Sequence, residues 1–182
     1  MSKKPIDTET SKIPDNPRFF FDSSSVFALI ECGYFHRFCE LIPNFCITSK
    51  ILTELTLKEN LSKKIISESI SSGKVKMIKL KTVNNAKWEE YRTLGLHTGE
   101  ISILLSSRKK QDIIVFDDLV ARSVARAEGY LLTGLLGILV KLKKSLKVSE
   151  KEAMSILAAL NQTNFRMSST LYVYILRMLS EK

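Results

Sequence analysis

Apolar residues follow two rhythms along this chain. Short unbroken runs read as strands: Phe19-Phe20-Phe21, Phe45 to Ile47, "QDIIVFDD" and "YLLTG". Unbroken apolar runs of that length suit strands covered on both faces, as in a parallel sheet. "KVKMIKL" alternates apolar and polar in the strand sense. The segments between have helical spacing. Val26, Leu29 and Ile30 follow the caps offered by "SSS", and Ile51, Leu52 and Leu55 follow a cap at Thr48 or Ser49. "NLSKKIISESISS" forms an amphipathic helix over 60–72 that stops before Gly73. "AKWEEYRTLG" ends at Gly95, and "HTGEISILLSSRKK" opens at Thr98 and Gly99. "LVARSVARAEG" closes at Gly129, and "LLGILVKLKKSL" comes after it. "SEKEAMSILAAL" begins with a capping box, Ser149 to Glu152, and "SSTLYVYILRML" is the last helix. Strands alternating with helices predict a three-layer α/β/α sandwich on a mostly parallel central sheet. Such sheets place their sites outside the carboxyl ends of the strands.

That rule draws attention to the acids. Asp22 ends the first strand, and Asp117 and Asp118 end "IIVF". Glu54 lies in the helix after the second strand, and Glu100 in the first turn of the helix from Thr98. Several carboxylates in one cleft repel each other, and desolvation adds to the cost. A hard divalent cation relieves both effects, and oxygen ligands with retained waters favour Mg²⁺ or Mn²⁺. Each acid also has an ordinary reading. Asp22 and Asp118 suit helix caps, Glu54 suits a solvated helix face, and Glu100 suits the dipole at a helix N-terminus.

The formal charge of +9 favours an anionic partner, with nucleic acid the commonest, although a lysine-rich surface needs none. Eight lysines fall between 58 and 87, among them Lys63 and Lys64, and a second cluster is Lys141, Lys143, Lys144 and Lys147. Arg122 and Arg126 lie four apart past the acidic pair, placed to reach a phosphate or to pair with Asp118 or Glu128, the latter slightly favoured. Basic residues on the rim of an acidic pit are the layout of a metal-dependent nuclease.

Cys32, Cys39 and Cys46 have no metal or disulfide spacing, and His36 and His97 are read as structural. Trp88 and Tyr91 suit base stacking or core packing, the latter favoured. No apolar run spans a bilayer and the N-terminus lacks a signal-like core, so the expected place is cytoplasmic, with no membrane partner. Residues 1–17 are polar with Pro5, Pro14 and Pro17, which predicts a flexible tail before one domain over 18–182.

The order of these motifs resembles the PIN-domain superfamily of metal-dependent ribonucleases. It is most similar to the prokaryotic branch of nucleic-acid-binding PIN proteins related to VapC-type toxin ribonucleases. The likeness is carried by "FFFDSSSVFALIECGYFHRF", "ITSKILTEL", "LHTGEISILL", "IIVFDDLVARSVARAEGYLLTGLLGILVKLKKSL" and "NFRMSSTLYVYIL", over residues 18 to about 178. The fourth is the most specific, with Asp117-Asp118, Gly129 and Thr133-Gly134-x-x-Gly137 in place. The resemblance implies Asp22, Glu54, Glu100 and Asp117 as catalytic metal ligands. Asp118, Thr133 and Ser23 would support them, Asp118 as an acid or helix cap and Thr133 by orienting water or a carboxylate. Arg122, Arg126, Lys63 and Lys64 are the candidate nucleic-acid contacts.

In activity, the likeness implies a Mg²⁺- or Mn²⁺-dependent endoribonuclease that leaves a 5′-phosphate and a 3′-hydroxyl. A homodimer and a small antitoxin-like protein are the implied partners beside RNA. The chain departs from the pattern at Ser23-Ser24-Ser25, where many relatives have Ser-Ser-Pro, and at "ISILLSS", where alanines are usual. Two rival readings stand. One is a non-catalytic PIN-like module that binds nucleic acid or protein. The other is a receiver-like phosphoacceptor, which ranks last because "YLLTGLL" lacks the lysine it needs.

Overall fold

The structure is a computed structural model and describes residues 15–58, 60–80 and 85–181. Five strands lie in it: β1 (Phe19–Phe21), β2 (Phe45–Thr48), β3 (Val75–Ile78), β4 (Ile113–Val115) and β5 (Leu131–Thr133). All pair in parallel, in the order β3-β2-β1-β4-β5, so the sheet is wholly parallel. β2 and β4 are buried at every position and β1 nearly so, which is why no polar alternation marks them. Phe21 stacks on Phe45 with ring centroids 3.9 Å apart, and Phe35 meets Phe45 edge-on.

Ten helices flank the sheet among the described residues, completing the three-layer α/β/α fold. They are α1 (Ser23–Glu31), α2 (Phe35–Leu41), α3 (Ser49–Lys58), α4 (Asn60–Ser71) and α5 (Asn85–Thr93), then α6 (Thr98–Ser106), α7 (Leu119–Ala127), α8 (Leu135–Lys144), α9 (Glu150–Asn161) and α10 (Ser169–Ser180). The sequence pattern does not predict α2. Gly33, at φ +79°, ends α1, and the helix beyond it has only seven residues before the chain leaves it at Ile42. So short a helix shows no periodicity, yet Phe35, Phe38 and Cys39 bury its inner face.

Register places the site. Phe21 pairs with Val115, and Val115 with Thr133. Asp22 is therefore level with Phe116, and Asp117 with Leu135. The strand order reverses between β1 and β4, where open α/β sheets form a crevice at the carboxyl ends of the strands.

Two details decide between stated alternatives, the caps of α1 and α3, and two differ from expectation, the ends of α6 and α9. Asp22, not a serine, caps α1, its Oδ1 accepting from the Ser25 amide at 2.9 Å. Thr48 Oγ1 accepts from Ile51 N at 3.2 Å near the start of α3. α6 stops at Ser106, because Asp112 draws in the Arg108 amide and side chain. At α9 the cap is half a box: Ser149 Oγ accepts from Glu152 N, while the Glu152 carboxylate pairs with Arg37 at 2.8 Å. The first fourteen residues of the expected tail, and Lys81 of the lysine-rich stretch, lie outside the described residues, and Pro17 is buried. No helix among the described residues is long and apolar enough to cross a membrane.

Candidate active site

A cleft of about 530 Å³ opens at the carboxyl edge of the sheet, lined by Asp22, Glu54, Glu100 and Asp118 among others. Four elements that are distant in sequence deliver these acids. Asp22 and Glu100 are buried, Glu54 is half-buried and Asp118 is exposed. Asp117 is half-buried beside them and is joined to Asp22 through Ser25.

The acids sit where helices begin. Asp22 caps α1. Glu100 reaches back from the first turn of α6 to accept from the His97 amide at 2.8 Å. Asp118 Oδ1 caps α7, accepting from Val120 N and Ala121 N. Asp117 Oδ1 accepts from Leu135 N at 3.1 Å, at the start of α8. The partial positive charge of each helix N-terminus steadies a carboxylate that no ammonium or guanidinium pairs among the described residues.

Three successive serines each hold a different acid. Ser23 Oγ donates to Glu54 Oε2 at 2.7 Å, Ser24 Oγ to Asp22 Oδ2 at 2.8 Å, and Ser25 Oγ to Asp117 Oδ2 at 2.8 Å. Two glycines make room. A β-carbon on Gly99 would stand 2.6 Å from Glu54 Oε1, and one on Gly134 2.7 Å from Asp117 Oδ1.

Concentrating acids here raises their affinity for protons. Burial pushes the Asp22 carboxyl up against the pull of its Ser25 and Ser24 hydrogen bonds, and the Glu54 charge adds to the rise. Burial and the Asp22 charge push Asp117 up to about 7. Glu100 is raised by burial, although the His97 hydrogen bond works the other way, and Asp118 and Asp22 repel it.

A sequence model described as a PIN domain matches residues 18–181. The chain belongs to the PIN-domain family. No curated protein and no solved structure matches it. PIN domains are generally nucleases and generally use divalent metal ions, so the fold is nuclease-like.

Whether these residues suit such an ion has two sides. In kind they do. They are anionic oxygen donors, and each keeps at least one of its roughly four acceptor sites free of the hydrogen bonds above. In spacing they do not yet close, since among the described residues no three of His, Cys, Asp and Glu are grouped to hold a metal.

Other candidate residues of this PIN domain take different places. Thr133 is buried, and its hydroxyl turns to Gly134 O at 3.4 Å and packs where a Gly137 β-carbon would lie. Among the described residues no carboxylate accepts from it, and the hydroxyl contacts to the carboxylates come from Ser23, Ser24 and Ser25. Arg122 donates to Phe116 O at 2.7 Å instead of pairing with Asp118, and its charge lowers the pKa of Asp117. Glu128 pairs with Lys87 and Lys109, and Arg126 is exposed on α7. Lys63 and Lys64 are exposed near the start of α4, beside the end of α3. The second lysine cluster is not on the rim. α8 begins at Asp117 and carries Lys141, Lys143 and Lys144 in its last turn, at the other end of the helix. Tyr91 is buried and Trp88 packs on the core, as the packing reading expected.

Sequence reasoning missed Ser24, Ser25, His97 and Gly99 as site residues. His97 lies three residues before Glu100 and lines the cleft, and that proximity was the available signal. Leu57 and Phe27 form apolar parts of the wall.

Proposed function

We propose that this PIN domain is a metal-dependent endoribonuclease whose acidic cleft cleaves RNA phosphodiesters. The observation that carries the reading is the gathering of Asp22, Glu54, Glu100 and Asp118 in one cleft at the sheet's switch point, with Asp117 tied to Asp22. Asp22, Glu54, Glu100 and Asp117 would hold Mg²⁺ or Mn²⁺. When bound, such an ion lowers the pKa of a water and neutralises charge on the phosphoryl oxygens. The chain's own contributions are positional. Ser23, Ser24 and Ser25 orient three carboxylates, and the N-termini of α1, α6, α7 and α8 keep the acids in register. Burial raises the Glu100 carboxyl, so it holds a proton more readily than a free glutamate until a cation takes that proton's place. Lys63, Lys64, Arg122 and Arg126 are the cations assigned to the RNA backbone.

A toxin role with a small antitoxin-like partner, and a homodimer, belong to the same reading and rest on the resemblance. Exposed Leu57 at the cleft and exposed Leu119 after Asp118 offer apolar surface for a partner to cover.

A second reading, a non-catalytic PIN-like binding module, is favoured by one observation. Asp22, Glu100, Asp117 and Asp118 each already serve a helix N-terminus. The two part in one assay. Structured and single-stranded RNAs are incubated with Mg²⁺, Mn²⁺ or EDTA, beside purified Asp22→Asn. The nuclease reading expects metal-dependent cleavage that falls at least about a hundredfold in the variant, no less than loss of a supporting residue costs. Cleavage that is absent with every metal, or that survives Asp22→Asn, sinks it.

A further inference from the structure

Ser25 has no solvent exposure, and both its polar groups are used. Its amide donates to Asp22 Oδ1 at 2.9 Å, an ordinary capping bond at the third position of α1. Its hydroxyl is less ordinary. A buried helical serine commonly bonds the carbonyl four residues back. Ser25 instead spans 92 residues of sequence to reach Asp117 Oδ2 at 2.8 Å. One residue therefore grips two mutually repelling carboxylates across the boundary between β1 and β4, where the strand order reverses. Ser24 is exposed and Ser23 half-buried, so water competes for their hydroxyls. Nothing competes for Ser25. Proline at this position would remove both donors at once.

We infer that Ser25 is a positioning residue that sets the separation and orientation of Asp22 and Asp117, and thereby the affinity of the cleft for a divalent cation. The inference rests on the proposed carboxylate–cation reading. Ser25 touches neither substrate nor ion; it acts through the two acids. The Leu135 amide also holds Asp117, at 3.1 Å from Oδ1 and 3.4 Å from Oδ2, so loss of the serine hydroxyl leaves the carboxylate tethered at one donor and free to turn about it.

The test is calorimetric titration of metal-free protein with Mn²⁺ alone, for wild type, Ser25→Ala, Ser25→Thr and Asp22→Asn, with thermal unfolding of each. The expected result is Mn²⁺ binding about 10–100-fold weaker in Ser25→Ala, the usual effect of losing a residue that orients a ligand. Ser25→Thr, which keeps the hydroxyl, restores most of it. If Ser25→Ala binds Mn²⁺ as wild type does, whatever its melting temperature, the inference is wrong and the cation reading stands. If wild type binds no Mn²⁺, or Asp22→Asn binds it equally well, the cation reading fails and takes the inference with it. Should Ser25→Ala not fold, Ser25→Cys, of similar size with a weak donor, decides by the same criterion.

Discussion

At Gly134 the absence of one carbon atom decides where a carboxylate can lie. The backbone there is extended at φ −107°, so alanine is allowed by conformation. Its β-carbon would nevertheless stand 2.7 Å from Asp117 Oδ1 and 3.2 Å from the Arg122 guanidinium. Gly134→Ala should therefore displace Asp117 while costing the helix only about 1 kcal/mol as an N-cap change. Mn²⁺ titration and melting, measured together, check this: affinity should fall at least about tenfold, as for a disturbed supporting residue, with a melting temperature lowered by only a few degrees. A large loss of stability with unchanged affinity would contradict it. Glycine at 99 and 134 was visible in the sequence as part of two motifs. What each glycine makes room for was not, because Glu54 is 45 positions from Gly99 and Asp117 meets Gly134 across paired strands.

The elements are tied together at the opposite edge of the sheet by a different acid. The Asp112 side chain is wholly buried just before β4, where it accepts from Arg18 Nε at 3.1 Å and from Arg108 Nη2 at 3.0 Å. Burial would raise this carboxyl, but the hydrogen bonds from Arg18 and Arg108 hold it well below the usual range. Arg18 precedes β1, so the cluster joins the two strands that frame the cleft. Arg18→Met should cost about 3 kcal/mol in urea unfolding, because it strips a buried carboxylate of a partner. Arg108→Met should cost less, since that side chain is 56% exposed and Arg18 25%. The depressed pKa sets the pH sense. The stabilisation is complete above about 4, the ordinary carboxyl value of 3.8, and is lost as the pH falls below it.

Across the whole molecule the cleft acids act with the opposite sign. Asp117 rises to about 7, and Asp22 and Glu100 are raised too. Between about 4 and 7 the folded chain holds protons that the unfolded chain releases, so these groups make stability fall as the pH rises through that window. In EDTA, the melting temperature should drop between pH 5 and pH 7.5, and Asp117→Asn should flatten the drop. An identical slope in the variant would mean that the cleft does not carry the effect. The two sites thus divide the labour: Asp112 with its two arginines at the amino edge of β4 holds strands together, and the acids at the carboxyl edge store repulsion.

Much of the fold was legible in one dimension. Unbroken apolar runs such as "FFF" and "IIV" announce strands buried on both faces, and Gly73, Gly95 and Gly129 end helices with positive φ. That alternation implies the parallel α/β architecture, because local periodicity and chain stiffness act over neighbouring residues. α2 escaped because seven residues cannot display a period. The convergence of the cleft acids could be anticipated from the rule that sites gather at strand carboxyl ends, but the groups that hold them could not. Ser25 reaches Asp117, Ser23 reaches Glu54 and Arg122 turns to Phe116 O only because strand order and register bring those atoms together. A hydrogen bond depends on angstroms in space, and composition along the chain carries no such distance.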